Sequence, residues 1–276
     1  MSARGLSRRG LRAWQFGVLV LLLLAWELVS RTDQGAFFFG DPVGVAGRIW
    51  SWFVPVDVAA NRFFPEGLPG RADIYRHLGV TLIETVLAFA IGTVLGLAVG
   101  LWLALAPTAS AVFDPYIKAM NSMPRVILAP IFALWFGLGI WSKVALAVTL
   151  VFFIVFFNVY QGVKETSRAL VDNAKMLGMG ERQQLRHVYW PSALSWMFSS
   201  LHTAVGFAVV GAVVGEYLGS AAGLGYLIQQ AEGTFDVAGV FAGMIVLSVF
   251  VILIDLAVTL AERRLLVWKP VATGRD

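Results

Sequence analysis

Residues 78–105 read LGVTLIETVLAFAIGTVLGLAVGLWLAL, a run of 28 positions with one charge, Glu84. About 20 consecutive apolar residues cross the hydrocarbon core of a bilayer as a helix. This run meets that length and is the clearest of several. Within it Gly92, Gly96 and Gly100 recur every four residues. Small residues at that spacing strip one helix face and let another helix approach closely.

Further apolar runs lie at 13–29, 112–135, 143–160, 193–214 and 237–260. Hydrophobic residues make up 58% of the chain and charged residues 14%, against about 25% charged in a soluble domain. The reading is an all-α membrane protein with about six transmembrane helices. Residues 1–30 form a tail and first span, 31–76 an outer segment, 77–265 a core of five spans, and 266–276 a final tail. The first run follows Arg4, Arg8, Arg9 and Arg12. It is long for a signal-peptide core and lacks a small-x-small cleavage site, so it is retained as a span. In the outer segment, apolar and aromatic residues at helical spacing over 43–53 predict a short interfacial helix carrying Trp50 and Trp52. The 112–135 run contains Pro115, Pro124 and Pro130. It reads as one kinked helix, and its polar residues Lys118, Asn121, Ser122 and Arg125 make it a candidate wall of a pathway.

With the N-terminus inside, the inner segments hold thirteen Lys and Arg and the outer ones five. That satisfies the positive-inside tendency and puts both termini in the cytoplasm. The same count places the basic residues at membrane flanks, which speaks against nucleic-acid binding despite the net charge of +4. The chain has no cysteine, and its three histidines show no metal-ligand spacing, so no metal site is expected. No phosphate-cradling G-x-x-x-x-G-K-[ST] loop is present, and no catalytic constellation stands out.

Residues 161–190 are a long polar stretch between the fourth and fifth spans, and loops of that length are usually functional. Leu170, Ala174 and Leu177 fall on one helical face. Gly178 suits a left-handed helix end. Leu185 and Val188 open a second apolar face, and Pro191 suits the first turn of the next span. Two short amphipathic helices meeting at Gly178 are expected, either docking a partner or lying on the membrane surface.

The spacing resembles a known pattern. Asp172-Asn173-Ala174, three residues, Gly178, nine residues, Val188, one residue and Trp190-Pro191 resemble the cytoplasmic loop of binding-protein-dependent ABC importer permeases. Asp114-Pro115, Met123-Pro124, Ala129-Pro130 and the stretch Leu134-Trp135-Phe136-Gly137-Leu138-Gly139 resemble the nitrate, sulfonate and taurine branch of that family. So do Gly223-Leu224-Gly225-Tyr226 and the Phe37-to-Pro42 stretch. The resemblance covers about 37–263. It implies an ABC permease fold in which the helix from Glu165 to Gly178 is a coupling helix, seated on a cytoplasmic ABC ATPase subunit. It also implies a homodimer in the inner membrane and a periplasmic or lipid-anchored substrate-binding protein. The solute would be small and anionic, of the nitrate, sulfonate or taurine kind. No cofactor is expected in this chain, since ATP and magnesium would sit on the ATPase, and the chain itself would not be an enzyme. The rivals are an ion-gradient-driven transporter and a membrane-embedded enzyme.

Charges within spans should face protein or water. Glu84, Arg125 and Asp255 look deep. Arg125 is either a group that attracts an anionic solute or one half of an internal ion pair with Glu84. Asp114, Lys118, Lys143 and Glu216 look placed to reach the interface from span ends.

Overall fold

In a computed structural model, residues 8–54 and 74–265 are described, and they are helices joined by short connections. Two compact units are present, one of Met1–Tyr75 with Leu227–Leu247 and one of Arg76–Tyr226 with Ser248–Asp276. The expected tail 266–276, and 55–73 of the expected outer segment, lie outside the described residues.

The first unit contains α1 (Arg8–Ser30), α2 (Asp33–Phe39) and α3 (Pro42–Phe53). The α3 helix is the short helix read from 43–53. It starts where it does because Asp41 accepts a hydrogen bond from the Gly44 amide at 2.6 Å and Pro42 occupies the first turn, where a missing N–H costs nothing. The Trp26 indole donates to the Phe39 carbonyl at 3.1 Å, and Arg48 pairs with Asp236 at 2.6 Å.

The second unit is built on α4 (Ile74–Leu105), α5 (Pro107–Ser122), α6 (Ala129–Phe136) and α7 (Ile140–Lys164). Then come α8 (Arg168–Met176), the short α9 (Glu181–Gln184) and α10 (Trp190–Leu218). Finally α11 (Leu224–Gly233) and α12 (Val237–Leu265) connect the two units. In lipid the backbone must satisfy its own hydrogen bonds, which is why apolar runs become helices. Among the described residues, five helices are long and apolar enough to cross a membrane, or six with one broken span.

That broken span corrects the expected single kinked helix over 112–135. The α5 helix and the segment Arg125–Phe136 meet at 88°. Met123 is extended, with φ −76° and ψ 132°, because the ring of Pro124 disfavours helical geometry in the residue before it. The helix therefore stops and restarts through a short 3₁₀ turn, Arg125–Leu128.

The core of this unit is α7. Val151, Val155, Val159 and Val163 are buried together with Ala193, Leu201, Ala204 and Ala208 of α10. On α4, a Cβ on Gly92 would lie 2.7 Å from Val151 Cβ. One on Gly96 would lie 2.8 Å from Val155 Cβ and 2.9 Å from the Phe152 carbonyl oxygen. One on Gly100 would lie 3.0 Å from the Phe156 carbonyl oxygen. The glycine stripe thus lets α4 touch the backbone of α7. On α10, Gly211 lies against the Ala147 backbone, whereas a Cβ on Gly206 would meet nothing within 4 Å. Backbone cannot step aside, so Gly96→Val should destabilise the chain by about 1–3 kcal/mol. Gly79→Ala, where a Cβ meets nothing within 4 Å, is the control. Thermal unfolding in detergent checks the order: equal midpoints would disprove the close approach.

Candidate functional site

The segment between α7 and α10 begins at Glu165, which caps α7 with its backbone amide on the Gln161 carbonyl. Thr166 and Ser192 hydroxyls lie 3.0 Å apart, tying the start of the segment to the start of α10. The α8 helix then ends in a Schellman motif. The Met179 amide donates to the Ala174 carbonyl at 3.0 Å and the Gly178 amide to the Lys175 carbonyl at 2.9 Å. Gly178 has φ +73°, the left-handed geometry this ending requires.

Ala174 is buried, while Leu170, Met176 and Leu177 are 58%, 79% and 77% exposed. Although Leu170, Ala174 and Leu177 share a helical face, only the alanine turns into the chain. The two leucines and Met176 project outward, flanked by exposed Asp172 and Asn173. Large apolar side chains on a short polar segment form a surface suited to a partner.

The second expected helix of the segment is different from its sequence reading. Glu181–Gln184 does not end in a loop before the fifth span. It runs through a π-helical turn, Leu185–Tyr189, directly into α10, giving one helical stretch from Glu181 to Leu218. Pro191 has no N–H and its ring would clash with the carbonyl four residues earlier in a regular helix. A wider turn just upstream, in which the Trp190 amide reaches the Leu185 carbonyl, absorbs that misfit. Val188 is half-buried in this turn and Pro191 is exposed at its end.

A second polar constellation lies toward the other ends of α4, α7 and α10. Glu84, Lys143 and Glu216 are only 1%, 2% and 0% exposed, which corrects the expectation that Lys143 and Glu216 reach an interface. Glu216 Oε1 accepts from the Thr81 hydroxyl at 2.6 Å, and Oε2 accepts from the Gly225 amide at 2.7 Å. Thr81 Oγ1 accepts from the Leu224 amide at 2.9 Å, and His77 Nδ1 accepts from the Gly223 amide at 2.9 Å. Lys143 Nζ donates to the Leu138 and Gly139 carbonyls and neighbours both glutamates. The Glu84 carboxyl lies beside Glu216 and Lys143, and its Oε2 is buried without a hydrogen-bond partner. The returning loop fits because a Cβ on Gly223, whose φ is +115°, would sit 2.1 Å from the Glu216 carboxyl carbon. On Gly225 it would sit 2.3 Å from the Val213 carbonyl oxygen. Sequence reading singled out the Gly223-to-Tyr226 stretch but not its carboxylate. A glutamate shortly before two glycines spaced by one residue was the available signal.

Glu84 thus lies beside Glu216 and Lys143 and does not form the expected pair with Arg125. The Arg125 guanidinium donates to Asn121 and lies 4.4 Å from the centroid of the Phe153 ring.

In the second unit, apolar helices long enough to span a membrane pack on α7, and α8 is held out with apolar side chains exposed. The profile of the family described as "Binding-protein-dependent transport system inner membrane component" matches residues 92–267, and the chain belongs to that family, in the branch with the sulfonate and taurine permeases. It is 33% identical to the formylaminopyrimidine transport permease protein ThiX of Halalkalibacterium halodurans, over 91% of this chain and 93% of that one. It is 29% identical to the taurine transport system permease protein TauC of Escherichia coli, over 91% and 88% respectively. A chain of the inward-facing MetNI methionine ABC transporter superposes with a TM-score of 0.59 at 21% identity, covering 69% of this chain and 95% of that one. That likeness carries the fold.

Proposed function

We propose that this permease forms the membrane part of an ATP-driven importer that moves a small organic solute inward across the cytoplasmic membrane. The observation that carries this reading is α8, closed by Gly178 and presenting Leu170, Met176 and Leu177 away from the chain. Such a helix seats in a groove of an ATPase subunit, on which ATP and magnesium are held. Closure of two ATPase subunits needs two such helices, hence two copies of this chain. A periplasmic or lipid-anchored binding protein delivers the solute from the side opposite α8. The excess of Lys and Arg on the inner segments supports cytoplasmic termini and a cytoplasmic α8.

The chain contains no cysteine, so single cysteines report without background. A cysteine at Leu170, paired with one in the ATPase groove, should form a disulfide in the assembled transporter. Absence of any crosslink from 165–178, or labelling of this segment from the outside only, would sink the reading.

Formylaminopyrimidine and taurine, the solutes named for two relatives, differ in charge and size, and an anionic cargo is the narrower reading. Arg125, the residue on which it rested, is committed to Asn121 and to the Phe153 ring. Arg125→Gln should therefore lower thermal stability by about 1 kcal/mol, through loss of a cation–π contact and a hydrogen bond. It should leave half-saturation of binding-protein-stimulated transport within about twofold, a shift of less than 0.5 kcal/mol. A tenfold loss of half-saturation at unchanged stability would restore the anion role.

A further inference from the structure

His202 on α10 joins two carboxylates of α12. Its Nδ1 lies 2.8 Å from Asp255 Oδ1 and its Nε2 lies 3.1 Å from Glu262 Oε2. Ionised carboxylates only accept hydrogen bonds, so both ring nitrogens donate and the ring is an imidazolium. The cluster then carries one positive and two negative charges. It is not sealed in the core: the side chains of His202, Asp255 and Glu262 are 41%, 49% and 23% exposed.

Asp255 lies inside the apolar span Val237–Leu260, and His202 inside the helical stretch Glu181–Leu218. Charges exposed at such depth are not left facing lipid tails. The faces around them are polar as well. On α10, Ser195, Ser199, His202 and Thr203 follow one another at helical spacing, and Ser199 and Thr203 are exposed. On α12, Asp255, Thr259 and Glu262 do the same, with the Thr259 hydroxyl on the Asp255 carbonyl at 2.9 Å. Two adjacent helices thus turn a continuous polar stripe outward at the end of the second unit that carries α8. The buried acid network around Glu216 is nearer the opposite end of α10 and has no part in this stripe.

We propose that this stripe is the wall of the water-filled solute path at its α8 end, and that the net negative His202–Asp255–Glu262 cluster makes the path favour neutral, zwitterionic or cationic organic solutes over anions. The proposal rests on the importer reading for the existence of a path, and it deepens that reading by assigning the solute's charge class. Water in the path hydrates the cluster and removes the penalty that lipid would impose. Like charge repels an anion from the same wall, and a cleft with low-dielectric sides strengthens that field.

The test uses the full chain, assembled with its ATPase subunits in lipid nanodiscs without nucleotide. Thr203→Cys is placed beside the cluster, with Ser199→Cys, one turn away, as a second reporter. The probes are the cationic trimethylammonium-ethyl and the anionic sulfonato-ethyl methanethiosulfonates, which react with thiols in water. Both should modify either cysteine. The cationic reagent should be favoured by about tenfold beyond its preference for a small free thiol, the lower end of what charged clefts achieve. Asp255→Asn combined with Glu262→Gln should return that ratio to the free-thiol value, and Asp255→Asn alone should move it part of the way. Lack of reaction at both cysteines would overturn the proposal, and spontaneous disulfides between copies would then identify the stripe as a contact between them. Reaction with a ratio that ignores the carboxylate substitutions would overturn the charge assignment. The same labelling repeated on the permease alone in nanodiscs requires no ATPase contact at α8, so failure here is separable from failure of the crosslink at Leu170.

Discussion

Replacing Met176 and Leu177 together by aspartate should abolish uptake while leaving the permease folded. Both side chains are exposed in the single chain, so the substitution removes no packing within it. Burying each against a partner contributes about 1.5–3 kcal/mol, and the aspartates add the cost of taking charge into an apolar groove. A loss of about 3–6 kcal/mol corresponds to a hundredfold or greater weakening of the complex. The permease should purify in normal amounts and unfold at the wild-type temperature, but without its ATPase subunits. If the variant still co-purified with them and transported solute, α8 would not be the contact.

The second large effect is expected at Glu216. Its two carboxylate oxygens hold Thr81 on α4 and the Gly225 amide of the returning loop, and its charge neighbours Lys143. Glu216→Ala would leave the buried Thr81 hydroxyl and Gly225 amide without their acceptor and remove a carboxylate beside the Lys143 ammonium. Each buried donor left unsatisfied costs about 1–3 kcal/mol, which together is a large share of what a marginally stable fold has. The variant should accumulate poorly and unfold well below wild type in detergent. Glu216→Gln keeps an oxygen for one of its two donors and presents an NH₂ group to the other, so it should fall between. Wild-type unfolding of Glu216→Ala would mean that the network does not hold the loop.

The spans were legible because lipid leaves a chain few options: a long apolar run has to satisfy its backbone internally, and only a helix does so within one segment. The glycine stripe of α4 was legible for the same reason, since spacing alone decides which face lacks side chains. What sequence could not supply was pairing across helices. For Glu84 a linear reading offered Arg125 because the charges are opposite. The fold instead brings up Glu216, an acid, with the Lys143 ammonium beside both. The break at Met123-Pro124 was foreseen as a kink, but its size depends on how many residues leave helical geometry, which proline spacing does not state. The Leu177-to-Gly178 turn was foreseen correctly in position. The fate of the residues after it was not, because proline is equally at home in a first helical turn and just beyond a widened one.

The unbroken helical stretch Glu181–Leu218 has 38 residues, or about 57 Å at 1.5 Å per residue. A rod of that reach is a pointer: a tilt of about 10° about one end carries the other through about 10 Å. One end starts beside the turn where the ATPase is proposed to press, and the other supplies the glutamate that clasps the Gly223–Gly225 loop. The grip of that loop and the angle of the rod are therefore readings of one mechanical coordinate.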